Sequence, residues 1–250
     1  MKILCWNVNG VRAIAKKGFL NWLHKTKPDI MCVQETKARP DQLPEKLEKP
    51  KGYHAYWNFA KVKAGYSGVA LFSKTKPKSV KYGWGNKKFD DEGRIIIAQY
   101  PRFTLLNIYY PNGKASKARL KYKMEFYDYF LRHVTKMKSK LIICGDFNTA
   151  HEEIDIARPK ENEMFSGFLP IERKWMDKFE AKGFIDTFRR KYPKKVEYSY
   201  WSTRTAARKR NVGWRIDYFY VSKNFIKSVK KAFILTKVSG SDHCPVGIEI

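Results

Sequence analysis

Five apolar runs of the sequence end in polar side chains that can bind or activate a ligand. These ends are residues 6–10, 34–36, 107–112, 145–148 and 241–243. Together they carry carboxylates, carboxamides, a tyrosine and a histidine, which can hold a cation, position a water molecule and transfer a proton. Because rigid strands often direct such ends into one cleft, we expect these residues to gather at a single site.

Asp146 and Asn148 stand two residues apart at the end of one of these runs. If the chain is extended there, both side chains project from the same face. Gly145, just before them, lets the backbone turn or approach a neighbouring strand closely. A carboxylate beside a carboxamide suits a site that holds and activates a water molecule next to a phosphate. The alternative is an Asx turn that only closes the strand, and an isolated Asp-x-Asn favours that alternative.

Glu35 follows another apolar run, and on its own it is typical of a surface glutamate. Combined with Asn7 from a neighbouring strand, it offers hard oxygen ligands. Mg²⁺ prefers such oxygens, takes one or two carboxylates and keeps several of its waters. The pair is therefore a candidate metal site.

His243 lies between an acid and a Cys-Pro pair at the start of the last apolar run. It is either a catalytic histidine or a core histidine bonded to a backbone carbonyl. Asp217 lies inside an apolar strand, where a carboxylate costs free energy unless it is paired. We therefore take Asp217 as the candidate partner of His243.

The composition limits both the class of protein and the class of partner. Of 250 residues, 43% are hydrophobic and 15% aromatic, which is enough for a large core and excludes disorder by composition. The 51 lysines and arginines against 24 acids give a net charge of +27. Such a surface concentrates polyanions, and nucleic acid is the commonest soluble one. An anionic membrane surface, an acidic protein and a lysine-rich thermophile surface stay open, although thermophiles usually add Glu together with Lys.

The four cysteines, Cys5, Cys32, Cys144 and Cys244, each lie in or beside an apolar run, without a Cys-x-x-Cys pair or zinc-site spacing. They predict buried free thiols in a reducing compartment. The sequence enters a strand pattern at once, without the architecture of a signal peptide. No apolar run approaches the ~18 residues that a membrane span needs. We expect a soluble, cytoplasmic protein, or a nuclear one in a eukaryote.

Many short strand-like runs alternate with three helical patterns. The runs are KILCWNV, DIMCVQ, YHAYWNF, SGVALFS, RIIIAQY, FTLLNIYY, LIICGDF, YSYWS, WRIDYFYVS and CPVGIEI. The helices are predicted at residues 11–27, 116–138 and about 170–183, from apolar residues at helical spacing. No repeat or linker interrupts the chain. We predict one α/β domain over residues 1–250, with two stacked sheets and helices outside.

Six segments carry a resemblance to a known family. They are ILCWNVNGVRA, CVQETKA, IYYPNG, ICGDFNTAHEEID, RNVGWRIDYF and GSDHCPVG, in this order from Ile3 to Gly247. The chain resembles the exonuclease III family of abasic-site endonucleases, and most of all its archaeal and bacterial single-domain members. RNVGWRIDYF separates the DNA-repair branch from related phosphatases. The resemblance implies a DNase I-like fold, a four-layered α/β sandwich of two packed mixed β-sheets flanked by helices.

The resemblance also implies roles for individual residues. Glu35 matches the principal metal ligand and Asn7 a second metal-binding position. Asp242 matches a position that binds either the metal or a water molecule. Asp146 matches the aspartate that orients or deprotonates the attacking water, and Asn148 matches its companion.

Asp217 and His243 match a paired acid and histidine, of which the histidine contacts the scissile phosphate. Tyr109 and Asn112 match the tyrosine and asparagine that line the phosphate site. Asp217 and His243 fall in two of the three last segments, which are the most specific to the family.

Further matches concern the surroundings of the site. His151 and Asp155 match positions that support it from behind. Tyr200, Trp214 and Ile216 match the apolar pocket that accepts a flipped-out abasic sugar. For Trp214 and Ile216, strand core is the alternative that their spacing leaves open.

The sequence departs from the family pattern at three positions. Asn9 stands where some members carry Asp, which weakens a claim for a second metal. Arg204 occupies the place of an apolar wedge, and Tyr200 replaces a phenylalanine. These changes bear on substrate preference and leave the polar residues of the site intact.

The resemblance implies hydrolysis of the phosphodiester bond 5′ to an abasic site in duplex DNA, which leaves a 3′-hydroxyl and a 5′-deoxyribose phosphate. It implies Mg²⁺ as cofactor, with Mn²⁺ as a substitute, and a monomer that needs no membrane. The same site could trim 3′ ends as an exonuclease or clear blocked 3′ ends.

Two other classes of protein stay open. One is another DNase I-like phosphodiesterase or phosphatase, for inositol polyphosphates or sphingomyelin, which needs no aromatic abasic pocket. The other is a non-catalytic DNA-binding protein. A protein that had lost its catalytic activity should lack at least one of Glu35, Asp146, Asp217 and His243. All four are present.

Overall fold

The computed structural model describes residues 1–203 and 206–250, which form two six-stranded sheets. One sheet contains β1 (Lys2–Asn7), β2 (Ile30–Gln34), β3 (His54–Asn58), β4 (Val69–Ser73), β11 (Lys231–Ile234) and β12 (Val246–Glu249). The other contains β5 (Ser79–Tyr82), β6 (Ile95–Gln99), β7 (Thr104–Tyr109), β8 (Leu141–Asp146), β9 (Phe184–Asp186) and β10 (Asp217–Ser222).

Both sheets are mixed. The first has the order β11-β12-β1-β2-β4-β3 and the second the order β5-β6-β7-β8-β10-β9. One parallel pair lies in the middle of each sheet, β1 with β2 and β7 with β8, and the other pairs are antiparallel. The parallel strands therefore end side by side, which places Asn7 opposite Gln34 and Tyr109 opposite Asp146.

The main core lies between the two sheets. Alternate residues of the central strands, such as Ile3, Cys5, Leu105 and Cys144, are fully buried there. The intervening residues face outward and are also buried, because helices cover the outer face of each sheet. Burial on both faces explains why these strands appear in the sequence as continuous apolar runs. Each buried Ile or Leu side chain contributes about 1.5–3 kcal/mol.

Eight α-helices among the described residues flank the sheets. They are α1 (Val11–Lys16), α2 (Phe19–Thr26), α3 (Glu45–Glu48), α4 (Lys87–Asp90), α5 (Lys117–Val134), α6 (Pro159–Asn162), α7 (Pro170–Ala181) and α8 (Thr187–Lys191). The two sheets with helices on both sides confirm the predicted four-layered sandwich.

The predicted helices need small corrections. Residues 11–27 form two helices instead of one, because Gly18 adopts a left-handed conformation (φ 91°) between them. The long helix α5 begins where the side chain of Ser116 accepts a hydrogen bond from the amide of Arg119, 3.2 Å away. Helix α7 begins at Pro170, as predicted.

The strand predictions differ from the structure in two ways. YSYWS is not a strand, and Tyr200 within it forms only isolated bridges with Trp214 and His243. Three short strands, β5, β9 and β11, were not predicted. β5 is an exposed edge strand, and β9 has only three residues, so neither leaves a clear apolar pattern. No helix in residues 1–203 and 206–250 is long and apolar enough to cross a membrane.

Candidate active site

A pocket of about 170 Å³ opens at the end of the sheets where β1, β2, β7 and β8 finish. Its lining comes from loops of both sheets. The lining residues are Asn9, Glu35, Tyr109, Asn112, Lys114, Asp146, Asn148, Gly167, Tyr200, Trp214, Ile216, Asp242 and His243. The residues that the sequence predicted to gather are therefore brought together.

Asn7 links the two sheets beneath this pocket. Its side-chain Nδ2 donates to Glu35 Oε2 at 2.9 Å and to Asp146 Oδ2 at 2.8 Å. Asn7 and Asp146 are both buried. One amide therefore fixes a carboxylate from the first sheet against a carboxylate from the second.

Several site residues have backbone conformations that residues other than glycine rarely adopt. Asn9, Glu35 and Asn148 have positive φ angles of 47°, 57° and 53°. Such conformations cost about 1–3 kcal/mol each and persist only where the surrounding structure enforces them. Here they turn the chain sharply after β1, β2 and β8, so that the side chains point into the pocket.

The extended chain expected at Asp146 and Asn148 is wrong. β8 ends at Asp146, and the amide of Asn148 donates to Asp146 Oδ1 at 2.7 Å, which makes an Asx turn. The turn brings Asn148 Nδ2 to 3.3 Å from Asp146 Oδ2. The same two residues therefore form an Asx turn and also line the pocket. Gly145 is required for close approach, since a Cβ there would lie 1.7 Å from the carbonyl oxygen of Ile108.

Asp217 and His243 form the buried pair that the sequence predicted. His243 Nδ1 lies 2.8 Å from Asp217 Oδ2, and Ser199 Oγ donates to the same oxygen at 2.7 Å. Trp6 Nε1 donates to the carbonyl of His243 at 3.0 Å. This arrangement leaves His243 Nε2 on the pocket side, 4.0 Å from Asp146 Oδ2. We call Asn7, Asp146, Asp217 and His243 the floor of the pocket.

Burial and neighbouring charges shift the pKa values of the floor. Burial alone would lower the pKa of His243, but the carboxylate of Asp217 outweighs it and raises that pKa to about 10. Burial raises the pKa of Asp146 to about 7, with a further rise from Asp217 and an opposing effect of His243. At neutral pH the site therefore holds an imidazolium beside a carboxyl group that can gain or lose a proton.

Tyr109 and Asn112 form one side of the pocket. Burial raises the pKa of the Tyr109 hydroxyl well above its ordinary value, so it stays a hydrogen-bond donor. The buried guanidinium of Arg94 lies 4.8 Å from the Tyr109 ring and donates to its carbonyl at 3.0 Å. Asn112 Nδ2 donates to Asn148 Oδ1 at 2.9 Å.

Tyr200, Trp214 and Ile216 line the pocket side by side, and we call them the wall. Tyr200 and Trp214 are half-buried, and the ring of Tyr200 lies 4.8 Å from that of His243. Trp214 packs over Gly167, where a Cβ would lie 2.9 Å from the indole ring. The wall belongs to a small apolar cluster separate from the main core.

Two residues that the resemblance placed behind the site, His151 and Asp155, do not line the pocket. His151 Nε2 lies 2.8 Å from Asp177 Oδ1. Asp155 is fully buried and accepts from Arg215 Nε at 2.7 Å. A third, Arg204, lies outside the described residues.

Three residues at the site were not predicted. Lys114 lines the pocket with its ammonium 4.7 Å from the Trp214 ring, and its place after Asn112 and Gly113 was the only signal. Ser199 holds Asp217, and Gly167 makes room for Trp214. By sequence Gly167 is an ordinary loop residue, and Ser199 falls in the run YSYWS that was predicted as a strand.

The site offers the kind of donors that a metal ion needs. Asp146, Asp217 and His243 present ligand atoms within 4.8 Å of one another. Asp217 Oδ1 is buried and has no hydrogen-bond partner among the described residues, which leaves a charged oxygen uncompensated. Glu35 and Asp242 add carboxylates at the rim. This oxygen-rich set fits a hard divalent cation.

Comparison with known proteins agrees with this geometry. Residues 4–243 match the model of the endonuclease/exonuclease/phosphatase family, and the chain belongs to that family. The resemblance indicated by the six segments is thereby confirmed.

Similar individual proteins are nucleases. The chain is 43% identical over 254 residues to an exodeoxyribonuclease of Bacillus subtilis (strain 168), covering 100% of this chain and 99% of the relative. It is 41% identical over 250 residues to the DNA repair nuclease APEX1 of Danio rerio, covering 98% and 81%. The structure of an AP endonuclease from Archaeoglobus fulgidus matches with a TM-score of 0.91 at 28% identity, covering 100% and 99%.

Proposed function

We propose that this protein is a DNA repair endonuclease that hydrolyses the phosphodiester bond 5′ to an abasic site in duplex DNA. The observation that carries the proposal is the position of a buried acid–histidine floor directly beside an aromatic wall, in a pocket of about 170 Å³. The names of the relatives, which include an AP endonuclease and an exodeoxyribonuclease, support the same substrate. We further propose that residues 1–250 form one catalytic domain that acts as a monomer in the cytoplasm.

The floor would activate the water and receive its proton. Asp146 and Asn148 hold the attacking water, and Asp146 takes the proton as the oxygen–phosphorus bond forms. A pKa near 7 suits this transfer at neutral pH. The bond from phosphorus to the 3′-oxygen breaks, and that oxygen takes a proton from solvent water, which leaves a 3′-hydroxyl on one fragment and a 5′-phosphate on the abasic sugar.

Fixed donors around the pocket would stabilise the charge that develops on the phosphoryl oxygens. His243 donates through Nε2, because Asp217, which accepts from Nδ1, keeps the ring protonated on both nitrogens. The Tyr109 hydroxyl and the Asn112 amide face the same space. Donors that are already oriented lower the barrier selectively in the transition state.

Glu35 would be the principal carboxylate ligand of a divalent cation, with Asn7 and Asp242 beside it. The ion, Mg²⁺ or Mn²⁺, would neutralise phosphate charge and stabilise the leaving 3′-oxygen. The side chain of Glu35 is 18% exposed, so a hydrated ion can reach it. His151 and Asp155 would hold the supporting loops in place.

The wall would select the lesion. An abasic sugar lacks a base, so its extrusion from the duplex costs less than the few kcal/mol lost with an intact nucleotide. Tyr200, Trp214 and Ile216 would form a small apolar surface for the sugar and would exclude a nucleotide that still carries its base. Lysines around the pocket would bind the flanking phosphates without recognising the base sequence.

A cleavage assay on defined DNA tests the proposal. We expect cleavage immediately 5′ to a single tetrahydrofuran abasic analogue in a duplex, with Mg²⁺ and not with EDTA. The intact duplex of the same sequence and the Asp146→Asn variant are the controls. Cleavage at random positions, or equal cleavage of both duplexes, would contradict it. Release of nucleotides from 3′ ends in the same assay would identify an additional exonuclease activity.

A further inference from the structure

The two ends of the sheets differ sharply in charge. The rear face is the end opposite the pocket, where β2, β7 and β8 begin and β4, β6 and β10 end. The name covers residues 27–29, 74–78, 101–103, 135–140, 182–183, 190–192 and 223–230; Met1, Lys2, Glu249 and Ile250, at the start of β1 and the end of β12, lie beside it. These segments carry fourteen lysines and arginines and a single carboxylate, Asp29, against 51 and 24 in the whole chain. The excess positive charge is therefore concentrated away from the active site.

Two open grooves on this face are lined by cations. Lys138, Lys182 and Lys223 line one groove of about 550 Å³. The other, of about 590 Å³, contains four cations: Arg190, Lys191, Lys227 and Lys230. Residues 223–230 lie between the two grooves and contribute to both. Neither groove has a carboxylate in its lining.

These seven cations are free to bind a ligand. All seven are exposed, and none forms an ion pair within residues 1–203 and 206–250. Near the pocket, by contrast, Lys37 pairs with Glu35 and Lys123 with Glu172. Unpaired like charges repel one another, so a polyanion on the rear face would relieve that repulsion.

We propose that the rear face is a second DNA-binding surface, which binds the phosphate backbone of a duplex segment other than the one in the active site. This inference rests on the proposed function, since it takes DNA as the polyanion that the protein meets. Lysine ammonium groups act as point charges toward phosphates and carry no sequence information, so the contact is non-specific.

The geometry requires a separate segment. Asp217 at the pocket and Ser222 at the rear are the two ends of β10, about 17 Å apart at ~3.3 Å per residue. A straight duplex lying across the pocket cannot also reach the rear. Six strands spaced ~4.8 Å apart make this face ~24 Å wide, alongside ~14 phosphate charges of a duplex. The surface is therefore wide enough for several contacts.

Duplex DNA fits this surface better than a membrane does. Basic surfaces that bind membranes usually insert Trp, Phe or Leu side chains. Among the described residues of the rear face, Tyr192, 39% exposed, is the one large exposed hydrophobic side chain.

The test compares two variants with the same loss of charge. The rear variant replaces four lysines: Lys138→Gln, Lys182→Gln, Lys223→Gln and Lys227→Gln. The control variant replaces four exposed lysines on the outer helices: Lys16→Gln, Lys46→Gln, Lys121→Gln and Lys174→Gln. Binding to an undamaged duplex is measured in EDTA over a range of salt, and bridging is measured by energy transfer between two differently labelled duplexes.

We expect the plot of log affinity against log salt to become less steep by about 3 to 4 in the rear variant. Bridging of two duplexes should be lost in the rear variant and kept in the control. Single-turnover cleavage of a saturating abasic duplex should be unchanged, because no active-site residue is altered. If the protein does not cut abasic DNA but still bridges duplexes, the proposed function fails and the rear surface stands.

Equal changes in both variants, or unchanged bridging in the rear variant, would overturn the proposal. So would stronger binding to phosphatidylserine vesicles than to DNA through the same four lysines. That result would assign the surface to a membrane.

Discussion

The floor and the wall of the pocket are built by different physical means. The floor residues are almost fully buried, and each is fixed by a hydrogen bond of 2.7–2.9 Å. The wall consists of apolar side chains in a small satellite cluster, and two of the three are half-buried. Chemistry depends on distances between polar atoms, whereas selection of a substrate depends on shape. A wall residue can therefore change without moving the floor.

The departures from the family pattern agree with this division. Tyr200 in place of a phenylalanine lies in the wall. Asn9 lies at the rim, where its Nδ2 donates to Asp242 at 3.1 Å. No departure falls on Asn7, Asp146 or His243. The comparison leads to predictions in which floor variants lose rate and wall variants lose selectivity.

Removal of the metal should have the largest effect. EDTA should abolish cleavage of abasic DNA, and Mg²⁺ or Mn²⁺ should restore it. Glu35→Ala should weaken the dependence on metal far more than it weakens DNA binding, because we propose Glu35 as the principal ligand. The metal concentration for half-maximal rate and the binding of duplex DNA in EDTA measure these two effects. Full activity in EDTA would remove the metal from the mechanism.

Substitutions in the floor should come next. Asp146→Asn and His243→Ala should each lower the single-turnover rate by about 10²–10⁴-fold, because each removes a positioned proton donor or acceptor. Binding of abasic duplex should be retained. The double variant should fall little below the worse single variant, since residues that act as a unit are not additive. Near-normal turnover in either single variant would place that residue outside the chemistry.

A wall substitution should change selection more than rate. Trp214→Ala should reduce discrimination between abasic and intact duplex by about tenfold, the equivalent of ~1.4 kcal/mol. Trp214→Phe is the matched control, because it keeps an aromatic surface over Gly167. Competition between the two duplexes measures the ratio. Unchanged discrimination in Trp214→Ala would make that residue part of the core and leave the abasic pocket unidentified.

The smallest expected effect concerns the contribution of His151 to the free energy of unfolding. Burial alone would lower the pKa of His151, but bonds to Glu180 and Asp177 raise it to about 9, above its ordinary 6.5. The charged histidine therefore stabilises the fold fully below pH 6.5, and this contribution is lost as pH rises through 9. His151→Gln should lose about 1 kcal/mol more at pH 6 than at pH 10, a small value because the partner acids are exposed.

Urea unfolding of both proteins at the two pH values checks the His151 prediction. Any packing change caused by the substitution is common to both pH values and cancels in the difference. Equal losses at pH 6 and pH 10 would show that the charge of His151 does not stabilise the fold.

Much of the site could be predicted because polar residues follow five apolar runs of one chain. Each of these signals is weak alone, but together, and with the six segments that resemble a known family, they indicate one site. Asp146 and Glu35 were found in this way, and the strands themselves gave the layered fold. Asn148 lies at the site because the chain turns after Asp146. Whether the backbone there is extended or left-handed depends on a hydrogen bond that cannot be predicted from the sequence. Ser199 and Gly167 could not be found, because their importance comes from residues distant in sequence that pack against them.

Helix and strand errors have different physical causes. The break at Gly18 lies inside a continuous helical pattern, so periodicity alone predicts one helix. YSYWS has the composition of a strand, but Tyr200 pairs only through isolated bridges beside the pocket. The first error comes from the backbone conformation of one glycine, and the second from tertiary contacts of Tyr200.

The place of β12 in the first sheet has a consequence for synthesis of the protein. This strand, Val246–Glu249, lies between β11 and β1, so β1 pairs with a strand that is made long after it. His243 and Asp242 enter the pocket on the loop that precedes it. A chain still on the ribosome therefore has Glu35 and Asp146 but lacks the histidine beside them. Because His243 belongs to the proposed catalytic floor, we expect the chain to cut DNA only after translation has passed residue 243 and β12 has paired with β1.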